Sequence, residues 1–398
     1  MALTFEEART CVLANARRGV TAEQVGTLAA SGRVIAEDVA ADRDYPPFAR
    51  SARDGFAVRA ADLPGELKII GEVRAGQVFD GAIGGGEAVE IMTGAPMPRG
   101  ADAVVMIEHT EKAGDFVRVG RKTPGDNFSP QGVEARAGMV VLETGRRLGF
   151  AEIALLAMVG RECVQVFRKP RVAILPTGDE IVEAGQRPEP FQIRNSNAWS
   201  LAVQVERAGG VPEVLPIARD NYESTRAMIE RGLEADMLLL SGGVSAGKYD
   251  IVEKVLAEMG AEFFFDRVKI QPGQPLVYGR LEQGNARDKQ FFGLPGNPAS
   301  TMVTFELFAR AAVELLGGAN DAPLPLLRSK LSRPFRHKPG LTRFLPARLS
   351  LDGSTISPEQ WQGSGDIVSL ARANAFLVAE ADRESWEEGE DIRVLIKS

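Results

Sequence analysis

The sequence predicts a multidomain protein: an α/β unit with a parallel-rich sheet, combined with modules built of β-strands. Three observations predict it. The chain has 398 residues, more than one hydrophobic core accommodates, so roughly two to four domains are expected. Residues 169–318 alternate between strand-like and helix-like patterns, the signature of right-handed crossovers in a parallel sheet. Residues 45–140 and 319–398 show short alternating runs separated by Gly and Pro and read as all-β.

Residues 1–40 read as helical. In "TFEEARTCVLANA", Thr4 stands as an N-cap and Glu7 completes a capping box. "TAEQVGTLAASGRVIAEDV" suggests a short helix followed by a strand. The β-like runs "FAVRA", "LKIIGEVRAG", "AVEIMTG" and "DAVVMIEHTEKAGDFVRVG" follow, and "FAEIALLAMVG" returns to helix. In the α/β stretch, "RVAILPTGDEI", "PEVLPIA", "DMLLLSGG" and "QFFGLPGNP" are strands. "SNAWSLAVQVERAGG", "YESTRAMIERGLEA", "DIVEKVLAEMG" and "ASTMVTFELFARAAVELLG" are helices. The tail "LRSKLSRPF", "TRFLPARLS", "FLVAEA", "DIRVLIK" alternates without helices and predicts a small barrel or sandwich.

Composition limits the function. A hydrophobic content of 44% and a charged content of 25% are ordinary for a globular protein. The net charge of −7 argues against a general nucleic-acid or membrane surface, so an anionic ligand needs a local basic pocket. Two cysteines exclude a disulfide framework, and two histidines make a multi-histidine metal site or a serine–histidine triad a poor fit. A metal, if used, is a hard ion such as Mg²⁺. The N-terminus lacks a basic n-region and an apolar h-region, and no apolar run is long enough to span a bilayer, so the expected location is the cytoplasm.

The stretch "DMLLLSGGVSAGKYDIVEKVL" runs from strand through glycines into helix. Gly242, four residues and Gly247-Lys248 follow the phosphate-loop spacing, but Tyr249 replaces the metal-binding hydroxyl. Asp250 is a better hard-ion ligand, and the backbone N–H groups of "GGVSAG" suit an anion at a helix N-terminus. A glycine turn that packs strand on helix explains the same residues. Two other strand ends carry similar loops. "LPTGDE" presents Gly178, Asp179 and Glu180, and "GLPGNPAS" presents Gly296 and Asn297 with Pro298 opening a helix. Three such loops on one sheet edge predict a phosphate and metal site.

These motifs, with "SARDGFAVRAAD", "IMTGAPMPRGADAVV", "GQPLVYG" and "QGSGDIVSLARANAFLV", resemble the molybdopterin molybdenumtransferases, the MoeA family to which the E domain of gephyrin belongs. The resemblance covers essentially the whole chain. It implies a dimerising domain I from residues 1–45 and 140–168, interrupted by a β domain II at 46–139. Domain III, the α/β molybdopterin-binding unit, occupies 169–318, and domain IV, a small β-barrel, 319–398. It implies insertion of molybdenum from molybdate into adenylylated molybdopterin, with Mg²⁺-dependent release of AMP. It also implies a homodimer with sites between subunits and transient contact with the adenylyltransferase that supplies the substrate. The alternatives are a non-catalytic molybdopterin-binding scaffold and an insertase for a related oxyanion such as tungstate.

The resemblance assigns catalysis to Asp54, Thr93, Glu180 and Asp250, and metal binding to Asp54, Asp179, Glu180 and Asp250. Gly242, Gly243, Ser245, Gly247 and Lys248 would hold the pterin or its phosphate. Pro295, Gly296, Asn297 and Pro298 would shape the pocket floor, with Gln274, Asp220 and Ser364 bordering it. Plainer roles exist for several: Asp54 as a turn cap, Thr93 satisfying a strand end, Asp220 as a helix N-cap, and Ser364 and Arg343 as surface turns. Glu134 stands where the family usually has aspartate. The chain departs from the family at Ser129, Pro130 and Gln131, where basic residues are frequent, and at Gln271 and Gln274, where lysine is frequent. Glutamine donates hydrogen bonds but brings no charge. Lys248, Arg267, Lys269, Lys122 and Arg194 are candidate compensating cations.

Overall fold

The computed structural model describes residues 2–120, 127–243, 251–283 and 286–397. Helix Phe5–Asn15 opens with the expected capping box: Thr4 Oγ1 accepts from the Glu7 amide at 3.2 Å, and Glu7 Oε2 accepts from the Thr4 amide at 2.8 Å. Its buried face, Phe5, Ala8 and Val12, enters the core of the α/β unit.

The expectation of helix after residue 20 is corrected. Ala22–Gly26 is a strand, antiparallel to Cys163–Phe167, and only a single 3₁₀ turn follows at Thr27–Ala30. Val25 packs beside Val164 and Val166. A partner about 140 residues away decides the conformation over the helical propensity of Ala, Glu and Gln.

Residues 55–119 form a six-stranded sheet in the order Ala103–Met106, Gly55–Val58, Glu87–Ile91, Gly65–Val73, Phe116–Val119, Thr110–Ala113. Both faces of Gly55–Val58 are buried, Phe56 and Val58 on one side and Ala57 on the other. Gly55 permits this: a Cβ there would lie 1.9 Å from the Val105 carbonyl oxygen.

The α/β unit has a mixed six-stranded sheet in the order Val211–Val214, Arg171–Pro176, Met237–Ser241, Ala286–Leu294, Pro275–Gln283, Glu262–Arg267. The first four strands are parallel; Pro275–Gln283 runs antiparallel to them, and Glu262–Arg267, antiparallel to Pro275–Gln283, returns to their direction. Helix Asn197–Arg207 and the helical run 298–316 cover one face. Helices Tyr222–Gly232 and Ile251–Glu258 cover the other. Register pairs Pro176 with Ser241 and Ser241 with Leu294, so three parallel strands end level and their loops emerge together.

At the C-terminus, strands Leu326–Leu331, Thr342–Leu349, Thr355–Pro358, Ala375–Ala379 and Asp391–Ile396 close a five-stranded barrel, Thr342–Leu349 pairing with both Thr355–Pro358 and Ala375–Ala379. The reading of this segment as free of helix is corrected by helix Ile367–Arg372, whose cap Asp366 accepts from the Ser369 amide at 3.0 Å. Strand Ile270–Gln271 pairs with Thr342–Arg343 and ties the α/β unit to the barrel. No described helix is long and apolar enough to cross a membrane.

Candidate ligand-binding site

The level strand ends open into a cavity of about 640 Å³ at the carboxyl edge of the sheet, the position where open α/β sheets bind ligands. The first loop, after Arg171–Pro176, brings Thr177, Gly178 and Glu180 to the lining. The Glu180 carboxylate folds back over Gly178, where a Cβ would lie 2.7 Å from Glu180 Oε2. Asp179 does not line the cavity. It exchanges bonds with Asp220, the Asp179 amide reaching Asp220 Oδ2 at 3.4 Å and the Asp220 amide reaching Asp179 Oδ1 at 3.3 Å. Helix Tyr222–Gly232 is capped by Asn221, so Asp220 is not its N-cap.

The second loop begins with Ser241, Gly242 and Gly243. Both glycines have positive φ, 93° and 66°. A Cβ on Gly242 would lie 2.7 Å from the Thr177 carbonyl oxygen, so only glycine lets the two loops touch. Ser245, Gly247, Lys248 and Asp250 lie outside the described residues. In the third loop Pro295, Gly296, Asn297 and Pro298 reach the lining, and Pro298 opens helix Pro298–Thr304. Gly296 and Gly242 face each other with 3.7 Å between the Gly242 Cα and the position of a Gly296 Cβ.

Sequence reasoning missed the residue that joins these loops. Asn197 donates from Nδ2 to Ser241 Oγ at 2.9 Å and to the Gly296 carbonyl at 2.8 Å. Asn197 Oδ1 and Thr177 Oγ1 are buried with no hydrogen-bond partner among the described residues. Buried polar atoms are satisfied almost everywhere in folded proteins, so two orphans beside one cavity point to a ligand with polar groups of its own. The signal was the paired asparagines of "IRNSNA" at a helix start: Asn195 Oδ1 accepts from the Ala198 amide at 3.1 Å.

A second cavity of about 310 Å³ adjoins the first, sharing Pro275, Pro295 and Asn297. It is lined by Gln271, Gln274, Ser300, Trp361 and Ser364. The Ala299 amide donates to the Ser364 carbonyl at 2.9 Å, docking the barrel loop on the helix start. Gln274 and Ser364 therefore belong to a neutral annex of the main cavity.

Asp54 and Thr93 meet in the six-stranded module. Asp54 Oδ1 accepts from the Thr93 amide at 2.6 Å and from Thr93 Oγ1 at 2.8 Å. These two bonds hold the Asp54 carboxyl below the usual carboxylate range. Within one chain the pair lines neither cavity. Among the described residues, no three His, Cys, Asp or Glu side chains converge on an ion; of the expected set, Asp54 and Asp179 lie off the cavity lining, and Asp250 is outside the described residues. Glu180 and Asp220 remain as hard oxygen donors on the cavity wall. Glu134 is exposed and ion-paired with Arg50 at 2.9 Å.

Fold and site together define a multidomain α/β protein with a cavity at the carboxyl edge of a parallel sheet, where such sheets bind small ligands. The particular family follows from similarity. Residues 3–160 match the model of the MoeA N-terminal region (domain I and II), 173–315 that of a probable molybdopterin binding domain, and 328–397 that of the MoeA C-terminal region (domain IV). The chain is 36% identical over 382 residues to a molybdopterin molybdenumtransferase of Bacillus subtilis, covering 92% of this chain and 87% of that protein. It is 33% identical over 376 residues to one of Staphylococcus epidermidis, covering 92% and 88%. The crystal structure of a molybdopterin biosynthesis MoeA protein from Pyrococcus horikoshii OT3 superposes with a TM-score of 0.82 at 28% identity, covering both chains entirely. The chain belongs to the MoeA family, as the sequence motifs implied.

Proposed function

We propose that this protein is a molybdopterin molybdenumtransferase: it takes adenylylated molybdopterin and molybdate, inserts molybdenum into the dithiolene and releases AMP. One observation carries the reading: a glycine-walled cavity with two carboxylates and two orphaned buried oxygens, in a chain that matches MoeA from end to end. The scaffold alternative has less support, because Asp54, Glu180 and Asp220 are all present. Tungstate in place of molybdate is distinguished by competition between the two oxyanions.

The chain's own groups have separable tasks. Gly242, Gly243 and Gly296 let the backbone approach the ligand, and Asn197 sets the spacing between their loops. Asp54, kept ionised by Thr93, presents its other carboxylate oxygen as a proton acceptor. The donor set fits Mg²⁺, since Glu180 and Asp220 offer hard oxygens where the substrate's phosphates would supply the remainder. When bound, the ion neutralises charge on the phosphate oxygens.

Asp54 and Thr93 sit apart from the cavity within one chain, so we infer a homodimer in which each pair serves the partner's cavity. The remaining parts of the reading are a cytoplasmic location, transient contact with the adenylyltransferase that supplies the substrate, and no role in nucleic-acid or membrane binding. The test is AMP release from adenylylated molybdopterin by the native chain, Asp54→Asn and Glu180→Gln. Native release with loss in both variants is expected. Tight binding without release by the native chain would favour the scaffold.

A further inference from the structure

We propose that Arg194 is the residue that holds the anionic group of the ligand in the main cavity. The proposal rests on the function above, which gives the ligand its phosphates. Among the described lining residues, Arg194 carries the only positive charge, in a wall that also holds Glu180 and Asp220. A phosphate beside two carboxylates needs a cation within a few ångströms to offset their repulsion. The described lining of the annex does not provide one, since Gln271 and Gln274 stand there.

Arg194 is mounted for this task. Its Nε donates to the Gln186 carbonyl at 3.0 Å, which orients the guanidinium and leaves its terminal amino groups as a two-pronged donor. It ends the ribbon in which Ile181–Val182 pairs with Ile193–Arg194. The Ile193 amide donates to the Glu180 carbonyl at 2.9 Å, and the Asn195 amide to the Val182 carbonyl at 2.9 Å. The cation and the Glu180 loop thus share one support. The orphaned oxygens of Thr177 and Asn197, in residues only 3% and 8% exposed, independently mark this cavity as a ligand site. The resulting polarity places the neutral, hydrogen-bonding part of the ligand on the Thr177–Asn197 floor and its phosphate at Arg194.

The experiment measures the affinity of the full chain for adenylylated molybdopterin at several salt concentrations. It compares the native protein with Arg194→Gln, Arg194→Lys and Arg187→Gln. Arg187 is exposed on the same loop and does not line the cavity. Arg194→Gln is expected to weaken binding by about tenfold, with a shallower salt dependence. Arg194→Lys keeps the charge but loses the fork and falls between, and Arg187→Gln matches the native chain. Equal affinity and salt dependence in the native chain and Arg194→Gln overturn the proposal while leaving the function intact, as does an equal loss in Arg187→Gln. Failure of the native chain to bind overturns both. If Arg194→Gln does not fold, Arg194→Lys decides: unchanged affinity in that variant overturns the proposal.

Discussion

Replacing Asn197 with alanine tests whether the cavity is held open by one side chain. The substitution removes two donations at normal lengths, to Ser241 Oγ and to the Gly296 carbonyl. Each neutral bond is worth about 1 kcal/mol net, and a buried acceptor left without a donor costs about 1–3 kcal/mol. The Gly296 carbonyl has no second donor available in the clamp, whereas the Ser241 hydroxyl can turn elsewhere. The expected loss is therefore about 2–4 kcal/mol, a large part of a typical stability of about 5–15 kcal/mol. Asn197→Asp should be worse than alanine at neutral pH, because a buried carboxylate would face the Gly296 carbonyl with no donor between them. Urea unfolding followed by far-UV circular dichroism measures the midpoint and slope for each variant. A change within about 0.5 kcal/mol for Asn197→Ala, the range of an ordinary surface substitution, would refute the reasoning.

Other predictions concern titration and assembly. Burial alone would raise the Asp236 carboxyl, but bonds from Arg168 at 2.6 and 2.7 Å and from the Arg171 amide at 2.8 Å outweigh it and lower the pKa. This stabilisation is present above the ordinary carboxylate pKa of about 3.9 and is lost as pH falls through the lower folded value. Asp236→Asn should thus be less stable than the native chain at pH 7, with the gap closing in acid unfolding titrations. Thr93→Ala removes the Oγ1 bond to Asp54, so the Asp54 pKa should rise and the acidic limb of the AMP-release rate should move to higher pH. Thr93→Ser should leave that limb in place. For assembly, Asp54→Ala and Glu180→Ala, each inactive alone, should recover about one quarter of native activity when mixed, because half of random dimers carry one intact composite site. No recovery after subunit exchange would place both residues in the same chain's site.

The sheet was legible because its central strands, Arg171–Pro176 and Met237–Ser241, are apolar runs and helices Asn197–Arg207 and Tyr222–Gly232 have periodic buried faces. The cavity was legible because three strand ends carry glycine with polar neighbours, a pattern local in sequence. The strand Ala22–Gly26 was not, since its ladder partner lies at Cys163–Phe167 and nothing local announces it. Helix Ile367–Arg372 is too short to show periodicity, although Asp366 and Ser369 carried its cap signal. Asp179 was read as a metal ligand from its place beside Glu180. In the fold it sits in the turn 178–181 and exchanges bonds with Asp220, a partner 41 residues away that nothing local announces. Asn197 and Thr177 escaped notice because their importance lies in which atoms remain unpaired, a property of packing and not of spacing.

The central claim is that this chain couples molybdate to the release of AMP. The most direct measurement is AMP formation from adenylylated molybdopterin by the native chain with Mg²⁺, with and without molybdate. The account predicts release that molybdate accelerates, with molybdenum appearing in the pterin product in step with AMP. Release at the same rate without molybdate, or no release from a tightly bound substrate, would contradict it.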